Sequence, residues 1–131
     1  MLAREPSGAG LQVGPGARQL KETPLRDKMI DLAPQLPDFG ATAAAVSQMD
    51  LVISVDTSVA HLAGALAKPV WLLLSFAPDW RWLLERTDSP WYPTMRLFRQ
   101  PKPEDWASVI SDIREALLQR INAGGCATAT R

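Results

Sequence analysis

The sequence predicts an α/β fold in which parallel strands alternate with helices, and the central third of the chain carries this prediction. Residues 51–55 (LVISV) and 70–74 (VWLLL) are continuous aliphatic runs, which is the pattern of strands covered on both faces. Between them, residues 58–67 place apolar side chains at helical spacing, and Pro69 ends the helix. This order predicts a right-handed crossover unit of a doubly wound sheet.

Weaker signals describe the first part of the chain. Residues 1–10 are rich in Gly, Pro and Ala and predict a flexible lead-in. The apolar run at 11–13, which a Gly-Pro-Gly turn follows, predicts a short strand. A short helix is expected from about Ala17, and residues 29–32 have the pattern of another strand.

Two further helices are predicted from their start signals. Thr42 is a suitable N-cap because its hydroxyl can accept a hydrogen bond from the amides of the next turn, so residues 43–49 are expected to be helical. Residues 104–121 follow Pro103, which favours a first helical turn, and are expected to bury one apolar stripe. The stripe comprises Trp106, Ile110, Ile113, Leu117 and Ile121.

The segment between the second aliphatic strand and the last helix is rich in aromatic and turn residues. Residues 75–93 therefore predict a long surface loop or a short helix, and residues 95–99 alternate apolar and basic side chains as an edge strand does. Residues 122–131 predict a flexible tail, so the folded domain is expected to span residues 11–121.

The composition limits the possible functions. The chain has 131 residues, enough for one domain but not for two. Basic and acidic residues number 14 each, so no overall positive charge favours nucleic acid. The single cysteine, Cys126, can form no internal disulfide, which favours a cytoplasmic setting. No segment has the pattern of a signal peptide or a membrane span, so neither secretion nor membrane insertion is expected.

The candidate site lies where the strand at 51–55 ends, because doubly wound sheets bind ligands beyond the carboxyl ends of their strands. A helix that starts near Ser58 presents unpaired amides and the positive end of its dipole. Thr57 and Ser58 add hydroxyl donors, and His61 adds an imidazole one turn later, so these groups suit a diphosphate. Asp56 would repel a bare phosphate; its carboxylate is expected to cap the helix, orient His61 or hold a sugar or ribose hydroxyl.

A simpler interpretation stays open, in which Asp56 and Thr57 only cap the helix and His61 fills a crevice beside the sheet. Two other classes of nucleotide-binding protein lose support. The sequence contains neither the glycine-rich dinucleotide fingerprint nor the Walker-type phosphate loop.

The aromatic segment adds one charged candidate. Arg81 can grip a phosphate in a bidentate way, or it can form a surface ion pair with Glu85 at helical spacing. Trp80 and Trp82 can stack on a base or a sugar. Trp80 and Trp91 are more simply expected to pack the loop onto the domain, because large aromatic residues mostly lie in cores.

At these residues the sequence resembles a known family. Residues 50–70 (DLVISVDTSVAHLAGALAKPV) are similar to the donor-binding signature of heptosyltransferase-like glycosyltransferases, an apolar strand followed by Asp-Thr, His-Leu-Ala and Pro-Val. Residues 76–82 and 89–93 resemble the glycosyltransferase-like domains at the end of bacterial tetratricopeptide-repeat proteins. The resemblance extends over residues 11–118.

The resemblance implies the C-terminal half of a GT-B fold, a Rossmann-like three-layer parallel sheet that holds a nucleotide diphosphate-sugar. It implies a donor-phosphate loop of Asp56, Thr57, Ser58 and His61. In this loop the hydroxyls of Thr57 and Ser58 donate to phosphate, and His61 stabilises charge or orients its neighbours. Arg81 is a further candidate for substrate binding, and neither a metal nor another cofactor is implied.

Two parts of such enzymes have no counterpart in the sequence: a first strand–helix unit before Leu11, and the N-terminal domain that supplies the acceptor site and the acidic general base. No catalytic residue is therefore assigned, and a partner protein or a second copy of the chain is expected to supply the rest. The leading hypothesis is a donor-binding domain that is incomplete for catalysis alone. The alternatives are a protein-interaction or self-associating module with an exposed strand edge, and a folded gene remnant.

Overall fold

The structure is a computed structural model that describes residues 7–126. The chain divides into two compact units, Met1–Gln48 and Met49–Arg131. The predicted lead-in at 1–10 and tail at 122–131 lie partly outside the described residues.

The first unit contains a two-stranded parallel sheet. Strand β1 (Gly8–Gly10) pairs with β2 (Met29–Asp31), and helix α1 (Ala17–Glu22) lies between them in the chain. These positions confirm the predicted helix and the second strand. The strand predicted at 11–13 is wrong, because Val13 is exposed and this apolar run has no buried face to favour strand pairing.

Helix α2 (Phe39–Ser47) begins earlier than the sequence predicted, because Asp38 rather than Thr42 is its N-cap. Asp38 is extended, and its Oδ1 accepts a hydrogen bond from the Ala41 amide at 2.8 Å. The Thr42 hydroxyl donates to the Asp38 carbonyl oxygen at 2.9 Å, the usual bond of a threonine inside a helix. Two 3-10 turns precede α2, at Arg26–Lys28 and Ala33–Gln35.

The second unit is built on a three-stranded parallel sheet. Strands β3 (Val52–Val55), β4 (Val70–Leu74) and β5 (Met95–Arg99) lie in the order β3-β4-β5. Helix α3 (Ser58–Ala65) joins β3 to β4 and contacts both, which confirms the strand–helix–strand unit. Strand β5 lies at an edge of this sheet, as predicted.

The central strand β4 has the burial that its sequence predicts, and β3 does not. Val70 pairs with Val52 on one side and with Met95 on the other, and β4 is buried along most of its length. In β3, Ile53 and Val55 are exposed, so the prediction that both faces of this strand are covered is wrong. Ile53 and Val55 pair with Trp71 and Leu73 and so lie on the sheet face that α4 covers, but the core cluster under α4 takes its strand residues from β4 and β5.

Helix α4 (Trp106–Cys126) closes the second unit. Asp105 caps it, because its carboxylate accepts hydrogen bonds from the Ser108 amide at 3.1 Å and the Ser108 hydroxyl at 2.9 Å. Glu104 has a φ of 62° and lies outside the helix, so the predicted start at residue 104 is wrong. The helix also continues beyond the predicted end at residue 121.

Helix α4 packs on the sheet through a row that the sequence predicted only in part. The core cluster comprises Trp71, Phe98, Val109, Ile113 and Ala116. The predicted stripe is correct at Ile113 and Leu117, but its other members, Trp106, Ile110 and Ile121, are exposed. A stripe chosen by side-chain size misses the buried valine and alanine, whose smaller side chains allow a close approach of helix and sheet.

Parallel sheets flanked by helices make this chain a Rossmann-like α/β fragment, as the sequence predicted. No helix within residues 7–126 is long and apolar enough to cross a membrane. The cytoplasmic location stays a prediction.

The packing of α4 predicts different effects for two isoleucines on the same helix. Ile113 is 7% exposed and Ile110 is 56% exposed. We expect Ile113→Ala to lower the free energy of unfolding by about 2–4 kcal/mol, because it leaves a cavity in the core. Ile110→Ala should change it by less than about 0.5 kcal/mol. Urea unfolding followed by circular dichroism measures both, and equal losses would contradict the helix orientation.

The cap of α4 predicts a dependence of stability on pH. Bonds from the Ser108 hydroxyl and amide hold the pKa of Asp105 below its ordinary value of 3.8. A lowered pKa contributes stability that is present above pH 3.8 and is lost as the pH falls through the pKa of the folded state. Asp105→Asn keeps a capping oxygen but cannot be protonated in this range. We therefore expect it to lose less stability than the wild-type chain as the pH falls from about 4 to about 2.

Ser108→Ala provides the complementary test, because it removes the hydroxyl donor and leaves the carboxylate in place. It should also flatten the pH dependence, through a rise in the pKa of Asp105. An unchanged acid slope in both variants, measured by urea unfolding at several pH values, would show that this cap does not contribute.

Candidate functional site

The site begins where β3 ends and α3 starts. Thr57 occupies the N-cap position with extended backbone angles, φ −141° and ψ 167°. Its carbonyl oxygen accepts hydrogen bonds from the amides of Ala60 at 3.1 Å and His61 at 3.4 Å. Thr57 makes no side-chain capping hydrogen bond, so the amides of Ser58 and Val59 lie uncapped at the positive end of the helix dipole. This geometry suits an anion.

The hydroxyl of Thr57 is already engaged by the protein. The Ser54 hydroxyl donates to the carbonyl oxygen of Val55 at 2.8 Å and lies 3.1 Å from the Thr57 hydroxyl oxygen. Either hydroxyl can be the donor of this second bond. If Thr57 is the donor, it must turn away from Ser54 before it can donate to a phosphate, whereas Ser58 is exposed.

The carboxylate of Asp56 faces two donors, and neither is the start of α3. Its Oδ2 accepts a hydrogen bond from the indole Nε1 of Trp82 at 2.8 Å, and its Oδ1 lies 3.4 Å from Nε2 of His61. The interpretation in which Asp56 caps the helix is therefore wrong. Of the roles considered for this carboxylate, its contacts match the orientation of His61.

The imidazole of His61 is contacted on its edge and on its face. Nδ1 lies 3.0 Å from the Tyr92 hydroxyl, and the ring stacks on the indole of Trp82 with a centroid distance of 5.4 Å and an interplanar angle of 29°. The Trp82 side chain is completely buried, and the His61 side chain keeps 30% of its exposure. His61 is therefore held by contacts on its edge and on one face, which suit both an orienting role and a purely structural one.

Tyr92 and Trp82 are themselves held in place. The ring of Tyr92 lies where a side chain at residue 64 would be, since a Cβ on Gly64 would lie 2.6 Å from the Tyr92 Cγ. The carbonyl oxygen of Trp82 accepts a hydrogen bond from Nη2 of Arg99, and burial lowers the pKa of this guanidinium. The amide of Tyr92 donates to the Ser89 hydroxyl at 3.4 Å.

Arg81 lies beside this network and does not pair with Glu85, so that part of the sequence prediction is wrong. Its Nε donates to Oδ1 of Asp79 at 2.9 Å. The Arg81 amide, with a smaller contribution from the Arg81 side chain, holds the pKa of Asp79 below its usual range. The Arg81 side chain is 46% exposed and can reach an anion.

Arg81 and His61 line one open pocket of about 410 Å³, together with Trp80, Trp91 and Tyr92. Trp80 is 74% exposed and Trp91 is 58% exposed, so the expectation that they pack the loop onto the domain is wrong. Trp82 has that role. The indole nitrogen of Trp91 donates to the Arg81 carbonyl oxygen at 3.0 Å, which fixes the edge of the ring and leaves its face free.

The structure thus brings some predicted residues together and keeps others apart. Asp56 and His61 are in contact, and Arg81 shares a pocket with His61. Thr57 and Ser58 lie at the start of α3 and do not line that pocket. The sequence did not identify Trp82 and Tyr92 as partners of Asp56 and His61. The only signal for them is the concentration of aromatic residues in the segment 75–93.

No cluster of histidine, cysteine or carboxylate side chains within residues 7–126 is suited to hold a metal ion.

Two comparisons with known proteins give matches to this chain. Residues 16–75 match the family model of glycosyltransferase family 9 (heptosyltransferase). The match includes Asp56, Thr57, Ser58 and His61 and ends before Arg81, Trp82 and Tyr92.

Among curated proteins, the chain is 35% identical over 88 residues to Protein FlbA of Caulobacter vibrioides (strain ATCC 19089 / CIP 103742 / CB 15). The matched segment is 67% of this chain and 14% of FlbA, so this chain corresponds to a small part of that relative. No solved structure matches the chain significantly.

The contact between Gly64 and Tyr92 predicts a position-specific effect of one methyl group. Gly64→Ala should displace the Tyr92 ring and lower the free energy of unfolding by about 1–3 kcal/mol, because the added Cβ has no space. Gly124→Ala is the matched control, since nothing lies within 4 Å of its added Cβ. The control should be neutral or stabilising by up to about 1 kcal/mol.

Urea unfolding gives both free energies, and the aromatic NMR signals of Tyr92 report the ring displacement. If Gly64→Ala were as stable as the control and the Tyr92 signals did not move, the close approach of α3 and Tyr92 would be refuted.

Proposed function

We propose that this chain binds the nucleotide diphosphate-sugar donor of a glycosyltransferase related to the heptosyltransferases. The observation that supports this most is the family match over residues 16–75, because it includes the loop where β3 leads into the uncapped start of α3. The proposal includes no metal or other cofactor.

In this proposal the diphosphate lies at the start of α3. The amides of Ser58 and Val59 donate to its oxygens, and the helix dipole favours its negative charge. The Ser58 hydroxyl adds a further donor, and Thr57 adds another if it turns from Ser54. Asp56 lies just before the helix and His61 one turn into it, and Arg81 approaches from the pocket that it shares with His61.

Charge stabilisation is the chemical contribution of such a site. When the glycosyl group leaves, negative charge develops on the nucleotide diphosphate, and fixed amides with a guanidinium stabilise it without reorganisation. Asp56 opposes this field with its own negative charge, so the amides and the Arg81 guanidinium must together outweigh its repulsion of the anion. None of the described residues is assigned as the general base.

A complete enzyme of this kind also needs an acceptor site and a general base. We infer that the chain corresponds to the C-terminal half of a GT-B fold of the type attached to tetratricopeptide repeats. The acceptor site and the base would then come from a further domain, a partner protein or a second copy. FlbA, of which this chain matches 14%, is long enough to hold such domains.

The proposal predicts nucleotide binding at the start of α3. In an isotope-edited NMR titration with ADP, GDP and UDP and their sugar conjugates, the amides of Thr57, Ser58 and His61 should shift saturably. Ser58→Pro should weaken binding at least about tenfold more than Ser58→Ala, because proline removes the amide donor as well as the hydroxyl. Proline is tolerated at the first position of a helix, and Thr57 already has the extended backbone that precedes a proline.

Equal affinities of Ser58→Pro and Ser58→Ala would refute the role of the amide. The absence of any shift in a folded sample at nucleotide concentrations of about 5 mM would refute donor binding, because dissociation constants near 1 mM would then be detected. That result would favour an interaction module, for which the exposed side chains of Trp80, Leu83 and Leu84, which line one open pocket, provide an apolar surface.

A further inference from the structure

His61 is enclosed by side chains from two separate segments. Asp56 approaches Nε2, Tyr92 approaches Nδ1, and Trp82 covers one face of the ring. Both ring nitrogens therefore face the protein. Trp82 and Tyr92 come from the loop after β4, beyond the residues that match the family model.

We propose that Trp82 and Tyr92 are positioning residues of the donor site, which hold the Asp56 carboxylate and fix the tautomer of His61. In the neutral imidazole, Nε2, which lies 3.4 Å from Oδ1 of Asp56, carries the proton, and Nδ1 accepts a hydrogen bond from the Tyr92 hydroxyl. The use of this network in donor binding depends on the proposed function, but the network itself does not.

The assignment of the protons follows from the chemistry of the three partners. An ionised carboxylate only accepts hydrogen bonds, so the atom that faces Asp56 must be an N–H. The other nitrogen of a neutral imidazole is then an acceptor, and the Tyr92 hydroxyl at 3.0 Å can donate to it. The opposite tautomer would place a bare nitrogen against the carboxylate and leave two acceptors in contact at 3.4 Å.

Trp82 acts through Asp56 and not on the ligand. Its side chain is completely buried, so it does not touch a bound molecule. Its indole N–H is a donor only, and at 2.8 Å it fixes Oδ2 of the carboxylate, which leaves Oδ1 directed at His61. The Arg99 guanidinium in turn holds the Trp82 carbonyl oxygen.

In this proposal the network gives His61 the orienting role of the two that were considered. A ring nitrogen can contact a phosphate only if it first leaves Asp56 or Tyr92. The imidazole therefore orients the start of α3 relative to the aromatic loop, and the amides and Arg81 are left to contact the anion.

The test uses the fact that the chain has one histidine. In the full chain with ¹⁵N-labelled histidine, measured at increasing pH until the ring signals stop moving, the protonated and the unprotonated nitrogen of the neutral ring give separate signals. We expect the wild-type chain to show a protonated Nε2 and an unprotonated Nδ1. Trp82→Phe and Tyr92→Phe each remove one hydrogen bond and keep an aromatic ring, and both should move the signals towards a mixture of tautomers.

Trp91→Phe is the matched control for the tautomer measurement. It also removes an indole N–H from the same loop, but that N–H donates to the Arg81 carbonyl oxygen and not to the network. Its histidine signals should equal those of the wild type. A protonated Nδ1 in the wild-type chain would overturn the proposal even if no variant folded, and so would equal shifts in Trp91→Phe and Trp82→Phe.

A second measurement, of nucleotide affinity, tests whether the network contributes to donor binding. If the chain binds a nucleoside diphosphate, Trp82→Phe and Tyr92→Phe should each weaken binding about fivefold, as expected for the loss of one hydrogen bond that orders the site. Unchanged affinity together with an altered tautomer would overturn the positioning role. If the wild-type chain binds no nucleotide, the proposed function fails, while the tautomer measurement still decides whether the network exists.

Discussion

The hydrogen bond from the Trp82 indole to the Asp56 carboxylate is the contact on which the rest of the site depends. It joins the end of β3 to the loop after β4, across 26 residues of sequence. A buried indole N–H is costly when unpaired, and an ionised acceptor makes its bond stronger than a neutral one. This bond ties Asp56 to a buried core residue, although the carboxylate itself lies partly in solvent.

The contacts then continue from Asp56 to His61, from His61 to Tyr92, and from Tyr92 back to α3 at Gly64. Such a closed chain of contacts restrains the first turn of α3 from several sides. This explains how a helix without a side-chain cap can keep its first amides open. A capping side chain would satisfy one of these amides and would occupy the space that an anion needs.

The sequence predicted the part of the fold that depends on local pattern, and it missed contacts between distant residues. Continuous aliphatic runs and Pro69 were sufficient for β3, α3 and β4, and the order of these elements placed Asp56 and His61 at one end of the sheet. The partners Trp82 and Tyr92 could not be predicted, because an aromatic loop has no period that shows which ring is buried. Strand β1 was misplaced for a related reason, since its Gly-Ala-Gly sequence is extended only through pairing with β2.

The family match covers one part of the candidate site and ends before the other. The matched residues 16–75 contain the start of α3, which any anion with suitable geometry can use. Trp82 and Tyr92 contact His61, and Arg81 lines the pocket. All three come from the loop that follows β4. In the proposed site, the amides that bind the diphosphate and the side chains that surround it therefore come from separate stretches of the sequence. In the proposed site, a substitution of Trp82 or Tyr92 would therefore change how a donor is held without a change in the backbone amides that contact its phosphates.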